Sequence, residues 1–119
     1  PVPADAPLLA RALGLVIENA LLHTPEGGHV KVDAEAEAWS GGEYATLHVA
    51  DTGMGISDEA LPHIFERFYR SARAREAGIN GIGLGLAIAQ AIIAQHQGTI
   101  TVESVLNRGS MFTIWLPLA

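Results

Sequence analysis

A two-layer α/β sandwich, with helices packed on one face of a mixed, mostly antiparallel sheet, is the fold that this sequence predicts. Three observations carry the expectation. An apolar helical period runs over residues 6–23, alternating strand pairs stand at 29–51 and 99–116, and a second helical period precedes the later pair. A chain of 119 residues that is 49% hydrophobic and 17% charged suits one compact domain with a single core, spanning 1–119.

The elements follow in order. Leu9, Leu13, Val16 and Ala20 recur at helical spacing beside Leu8, Ala12 and Leu15, and Asp5 stands where an N-cap is needed. The segment Thr24-Pro25-Glu26-Gly27-Gly28 ends that helix. Residues 29–39 and 44–51 alternate apolar and polar side chains around Ser40-Gly41-Gly42, the pattern of an antiparallel hairpin. Ser57 is placed to cap a short helix through Asp58-Glu59-Ala60-Leu61, and Phe65, Phe68 and Tyr69 follow it. Residues 70–81 hold three arginines and two glycines with few apolar anchors, and read as a mobile loop. A second helix is expected to start within Gly83-Leu84-Gly85 and run to about Gln97, with Leu84, Ile88, Ala91, Ile92 and Gln95 at helical spacing and Gly98 as its stop. Residues 99–105 and 110–116 form the last two strands, around the turn Leu106-Asn107-Arg108-Gly109.

Thirteen acidic residues against seven basic ones give a formal net charge of −6, which argues against a nonspecific grip on nucleic acid or anionic lipid. The chain has no cysteine, so neither disulfides nor thiolate metal sites are available. No apolar run is long enough to span a bilayer and the start lacks a secretory pattern, so a soluble, cytoplasmic fragment without direct membrane contact is expected. Pro1 in the first position points to a piece of something longer.

Three groups of residues can carry chemistry. Asp51 ends a strand in which Ala45, Leu47 and Val49 share its face, so its carboxylate points inward and needs donors. The glycine turn Asp51-Thr52-Gly53-Met54-Gly55-Ile56 can supply backbone N–H groups, or a ligand can. A fixed carboxylate would select adenine, whose edge offers an amino donor where guanine offers a carbonyl. An aspartate that only caps a tight turn is the plainer alternative. The second group, Gly81-Ile82-Gly83-Leu84-Gly85-Leu86, lies where a loop becomes a helix, and there closely approaching backbone and unpaired N–H groups suit a triphosphate. On the first helix, Asn19 shares a face with Leu15, Leu22 and His23; its amide oxygen can ligate Mg²⁺, and the adjacent Glu18 can accept a proton or orient a nucleophile. A backbone-satisfied amide and a solvated glutamate are the plainer readings of that pair. Of Arg67, Arg70, Arg73 and Arg75, Arg70 is favoured to neutralise phosphate charge because it closes the aromatic cluster. The five histidines lack the spacing of a metal pair; His23 is placed to line a nucleotide pocket, and the others are expected to be structural or superficial.

Taken in order, these segments resemble the Bergerat-fold ATPases, and the histidine kinases most closely. Leu13 to Thr24 is similar to the family's N box, residues 51–56 to its first glycine box, and Phe65-Glu66-Arg67-Phe68-Tyr69-Arg70 to its F box. Residues 81–86 with Ala87-Ile88 resemble the second glycine box, and Asn107 to Phe112 with Leu116-Pro117-Leu118 the closing segment. The resemblance implies ATP and Mg²⁺ as ligands, with Asn19 on the metal, Glu18 as the acid-base residue and Asp51 on the adenine amino group. Gly53, Gly55 and Ile56 would shape the adenine pocket. Gly81, Gly83, Leu84, Gly85 and Leu86 would wrap the phosphates, and residues 70–81 would form the ATP lid.

As partners, the resemblance implies a dimerisation and histidine-phosphotransfer domain of the same protein, which would receive the γ-phosphoryl group, and a response regulator receiver domain. Nucleic acid is not an expected partner. The sequence departs from the family where Leu15 replaces a second asparagine and Leu22 replaces a lysine or arginine. It also lacks a phosphoacceptor segment, so this fragment alone is not expected to autophosphorylate. An anti-sigma-factor type serine kinase shares the fold, although the F box counts against it. A non-catalytic, partner-binding member of the same fold is the other alternative.

Overall fold

The computed structural model describes residues 5–39, 42–69 and 84–117. Its elements are α1 (Ala6–Leu22), β1 (Val30–Trp39), β2 (Gly42–Asp51), a single 3-10 turn (Leu61–His63), α2 (Gly85–Gln95), β3 (Thr99–Val105) and β4 (Gly109–Pro117). Asp5 caps α1, its Oδ1 accepting the Leu8 N–H at 3.1 Å, and Pro7 stands in the first turn, where a missing N–H costs nothing.

The four strands are ordered β1-β2-β4-β3. β2 and β3 run in the same direction, but β4 returns from β3 through a tight turn and inserts between them. Every described neighbour is therefore antiparallel, and the mixed pairing expected from the sequence does not occur among the described residues. The register places Val49 opposite Phe112, and Phe112 opposite Val102. Side chains alternate across a sheet, so these residues share one face with Leu47, Ile100 and Ile114. Both helices cover that face. Ala12, Val16 and Ala20 of α1 meet Ala89, Ile92 and Ile93 of α2 over it, in one buried cluster. Full burial of large aliphatic and aromatic side chains such as Phe112 and Ile93 stabilises the fold by about 1.5–3 kcal/mol each.

Three sequence expectations shift. Residues 58–60 form turns and the short helix begins later, at Leu61. Ser57 does act as a cap, its Oγ accepting the Ala60 N–H at 3.2 Å, but Pro62 has no N–H with which to continue an α-helical ladder back to Asp58. In α2 the buried stripe is Ala89, Ile92, Ile93 and His96, whereas Ala91 and Gln95 are exposed. Gly85–Gln95 is apolar nearly all round, so the sequence period underdetermines which face turns inward. At the end of α2 the left-handed residue is Gln97, at φ 61°, and Gly98 follows it, donating its N–H to the Ile93 carbonyl at 2.9 Å.

Candidate functional site

The last turn of α1 is closed by side chains. His23 donates twice to the Asn19 carbonyl, through its backbone N–H at 3.2 Å and its ring Nδ1 at 2.8 Å, and the Thr24 hydroxyl donates to the Ala20 carbonyl at 2.7 Å. A carbonyl only accepts, so Nδ1 of His23 carries a proton. The Asn19 side chain, half-buried one turn earlier, makes no hydrogen bond with any described residue. Glu18 is exposed beside it. No fully buried side-chain polar atom lacks a partner among the described residues, so the Asn19 amide is reachable from solvent. An accessible amide oxygen with no protein partner fits the oxygen-ligand chemistry of Mg²⁺.

The turn after β2 is pressed against this helix end. A Cβ on Gly53 would collide with the His23 backbone carbonyl, and that same carbonyl accepts the Met54 N–H at 3.3 Å. Gly55 has φ 70°, and a Cβ there would collide with the Val105 carbonyl. Further hydrogen bonds hold the turn from outside: Asn107 N–H donates to the Met54 carbonyl at 2.7 Å, and Ile56 N–H donates to Ser104 Oγ at 2.7 Å. Ser104 Oγ in turn lies 2.8 Å from Ser110 Oγ, on the adjacent strand. The β3–β4 hairpin thus sets the shape of the glycine turn.

Within the turn, Asp51 Oδ1 accepts the Gly53 N–H at 2.9 Å. The carboxylate is half-buried on the helix-covered face, and its Oδ2 has no hydrogen-bond partner among the described residues. The turn-capping reading of Asp51 is therefore met by Oδ1, while Oδ2 makes no hydrogen bond with a described residue.

The third segment enters at the start of α2. Gly85 lies against α1, with Leu15 Cδ2 the nearest atom to where its Cβ would stand, at 3.8 Å. Leu15 and Asn19 are one turn apart on α1, so the amide lies one turn along the helix from the residue that meets Gly85. Leu84 is half-buried, Leu86 packs on the core, and Ile56 packs there from the other turn. Arg70, Gly81 and Gly83 lie outside the described residues, as do Arg73, Arg75 and the rest of the expected lid. Leu22, in the position where a cation was expected by family resemblance, is 51% exposed.

The aromatic cluster divides. Phe65 packs on the core edge-on to Phe112, with ring centroids 6.3 Å apart and planes at 85°, while Phe68 has φ 66° and is 66% exposed. Of the remaining histidines, His63 contacts Glu66 Oε2 at 2.7 Å and stacks on Tyr69 at the surface. Buried His96 donates through Nδ1 to the Ile92 carbonyl at 2.9 Å and accepts the Asp5 N–H on Nε2 at 3.0 Å. This tie between α2 and the start of α1 was not legible from sequence. Its two ends are 91 residues apart. No described helix is long and apolar enough to cross a membrane.

Residues 4–119 match the model of the histidine kinase-, DNA gyrase B-, and HSP90-like ATPase family. The chain is 46% identical over 110 residues to the sensor histidine kinase RppB of Synechocystis, an alignment covering 92% of this chain and 23% of that protein. It is 37% identical to the sensor histidine kinase WalK of Bacillus subtilis, over 98% of this chain and 19% of that one. The chain thus spans about a quarter or less of these two relatives. Among solved structures, the mycobacterial sensor histidine kinase MprB superposes with a TM-score of 0.81 at 36% identity, covering 98% of this chain and 76% of that one. Full-length ShkA, solved in complex with AMPPNP, gives 0.78 at 34% identity, covering 98% of this chain and 22% of that one.

Proposed function

The chain belongs to the histidine kinase-, DNA gyrase B- and HSP90-like ATPase family, and on that premise we propose that residues 1–119 are the ATP-binding catalytic domain of a longer sensor histidine kinase. ATP lies between the last turn of α1, the glycine turn after β2 and the segment leading into α2. The observation that carries this reading is the contact of Gly53 with the His23 carbonyl, which sets the half-open carboxylate of Asp51 beside the helix that bears Asn19.

Asp51 Oδ2 accepts the adenine amino group, and Gly53, Gly55 and Ile56 give that ring its walls. The Asn19 amide oxygen would hold Mg²⁺, which supplies charge neutralisation at the phosphates. His23 lines the pocket through the ring edge that does not bond Asn19. Leu84, Gly85 and Leu86 present the start of α2 to the phosphates, and the family resemblance adds Gly81, Gly83 and Arg70, outside the described residues, to the same role. In the parent protein, a histidine nitrogen of the adjacent dimerisation and histidine-phosphotransfer domain attacks the γ-phosphorus. The bond to the β,γ-bridging oxygen breaks, ADP leaves, and Glu18 accepts or orients the proton of the attacking nitrogen. The phosphoryl group then passes to a carboxylate of a response regulator receiver domain. These steps belong in the cytoplasm.

Calorimetric titration with ADP·Mg²⁺ and GDP·Mg²⁺ tests the site. The expected result is saturable, adenine-selective binding that Asp51→Asn abolishes, with a magnesium contribution that Asn19→Ala removes. Equal binding of both nucleotides, or full affinity in folded Asp51→Asn, would refute the assignment.

A further inference from the structure

The sheet has a second face, turned away from the helices, and it brings together the only cluster of three or more His, Asp or Glu donors among the described residues. Asp33, Glu35 and His48 each offer a ligand atom within 4.8 Å of the other two. Their juxtaposition follows from register. Asp33 pairs directly with His48 across β1 and β2, and Glu35 is two residues along the same strand, hence on the same face. Sequence spacing alone hid the set, because its histidine comes from the neighbouring strand.

We propose that Asp33, Glu35 and His48 form a Zn²⁺ site on this outer face, separate from the nucleotide site. The chemistry of the donor set supports it. One imidazole and two carboxylates with an open position is a ligand combination that Zn²⁺ accepts, at about 2.0–2.2 Å per ligand. Ligands at such lengths around one ion are about 3.3 Å apart in tetrahedral geometry, within reach of 4.8 Å by small side-chain rotations.

The imidazole is also oriented. His48 Nδ1 is 3.1 Å from the Thr113 hydroxyl, which belongs to a residue only 5% exposed on the central strand β4. That bond leaves Nε2 to ligate and supplies the outer-shell partner that metal-bound histidines regularly have. The carboxylates are uncommitted: neither Asp33 nor Glu35 has a side-chain hydrogen bond or ion pair with any described residue, although Lys31 shares their face. Two unneutralised carboxylates around a held imidazole attract a divalent cation. An ion there would clamp the edge strand β1 to β2, and β2 ends at Asp51.

The test uses the whole chain, freed of metal by a chelator and kept free of nucleotide. Titration with ZnCl₂ is expected to show one saturable equivalent, a tetrahedral visible spectrum when Co²⁺ replaces Zn²⁺, and a rise in Tm of about 5–10 °C at saturation. His48→Gln and Asp33→Asn, both outside the core, should each lose all three signals while keeping the wild-type circular dichroism. Asn19→Ala should retain them. Absence of saturable binding would overturn the proposal. So would binding that survives His48→Gln and Asp33→Asn, or binding that Asn19→Ala removes, since the ion would then sit elsewhere.

Discussion

The backbone carbonyl of His23 lies so close to the Cα of Gly53 that no side chain fits between them. The end of α1 and the turn after β2 therefore form one rigid joint. Replacing Gly53 with alanine should force them apart and lower stability by about 1–3 kcal/mol, read as an earlier urea midpoint. Gly55→Ala should cost at least as much, because its positive φ adds backbone strain to the clash with the Val105 carbonyl.

Gly14 gives the opposite expectation. It lies inside α1, and a Cβ there would have no neighbour within 4 Å. Gly14→Ala should raise stability by about 0.4–1 kcal/mol, by restricting the unfolded chain and favouring the helix. A midpoint unchanged or lowered in chemical denaturation would mean that α1 packs more tightly at this point than described.

The two oxygens of Asp51 have separate duties, and two substitutions separate them. Asparagine keeps an acceptor for the Gly53 N–H, so Asp51→Asn should stay near wild-type stability. Its amide N–H₂ would then face the adenine amino group, donor against donor, and adenine selectivity should disappear. Asp51→Ala should lose selectivity and also about 0.5–1.5 kcal/mol of stability. Thermal melts paired with calorimetry distinguish the two outcomes.

His96 joins the start of α1 to the end of α2 by accepting the Asp5 N–H. His96→Leu retains the apolar volume but leaves that N–H and the Ile92 carbonyl without their partner, at a cost of about 1–3 kcal/mol. ADP affinity should change little, because His96 contacts none of the proposed nucleotide ligands. A loss of affinity with unchanged stability would contradict this structural role.

Much of the fold was legible because the signals are local. The Asp5 cap, the period of α1 and the alternation of the four strands each depend on residues a few positions apart, and each element lies within a few residues of where the sequence puts it. The buried stripe of α2 was harder to read, since a helix apolar on nearly every side carries no strong orientation of its own. Neighbours decided it: Ala89, Ile92 and Ile93 turn inward because they meet Ala12, Val16 and Ala20.

For the candidate site, residue types and their order along the chain identified Asn19, Asp51 and the glycine turns, since glycine and inward-facing polar residues are conspicuous in sequence. The sequence by itself determined which segments form helices and strands, which face of α1 and of β2 is apolar, and which residues are candidates for a nucleotide site. Only the tertiary structure decided that β4 inserts between β2 and β3, that Gly53 meets His23, that one oxygen of Asp51 is already used, and that His48 faces Asp33 and Glu35. Local periodicity fixes which way a side chain points along its own element, but a contact between elements depends on strand register and helix packing, which only the whole chain, folding around one core, can set.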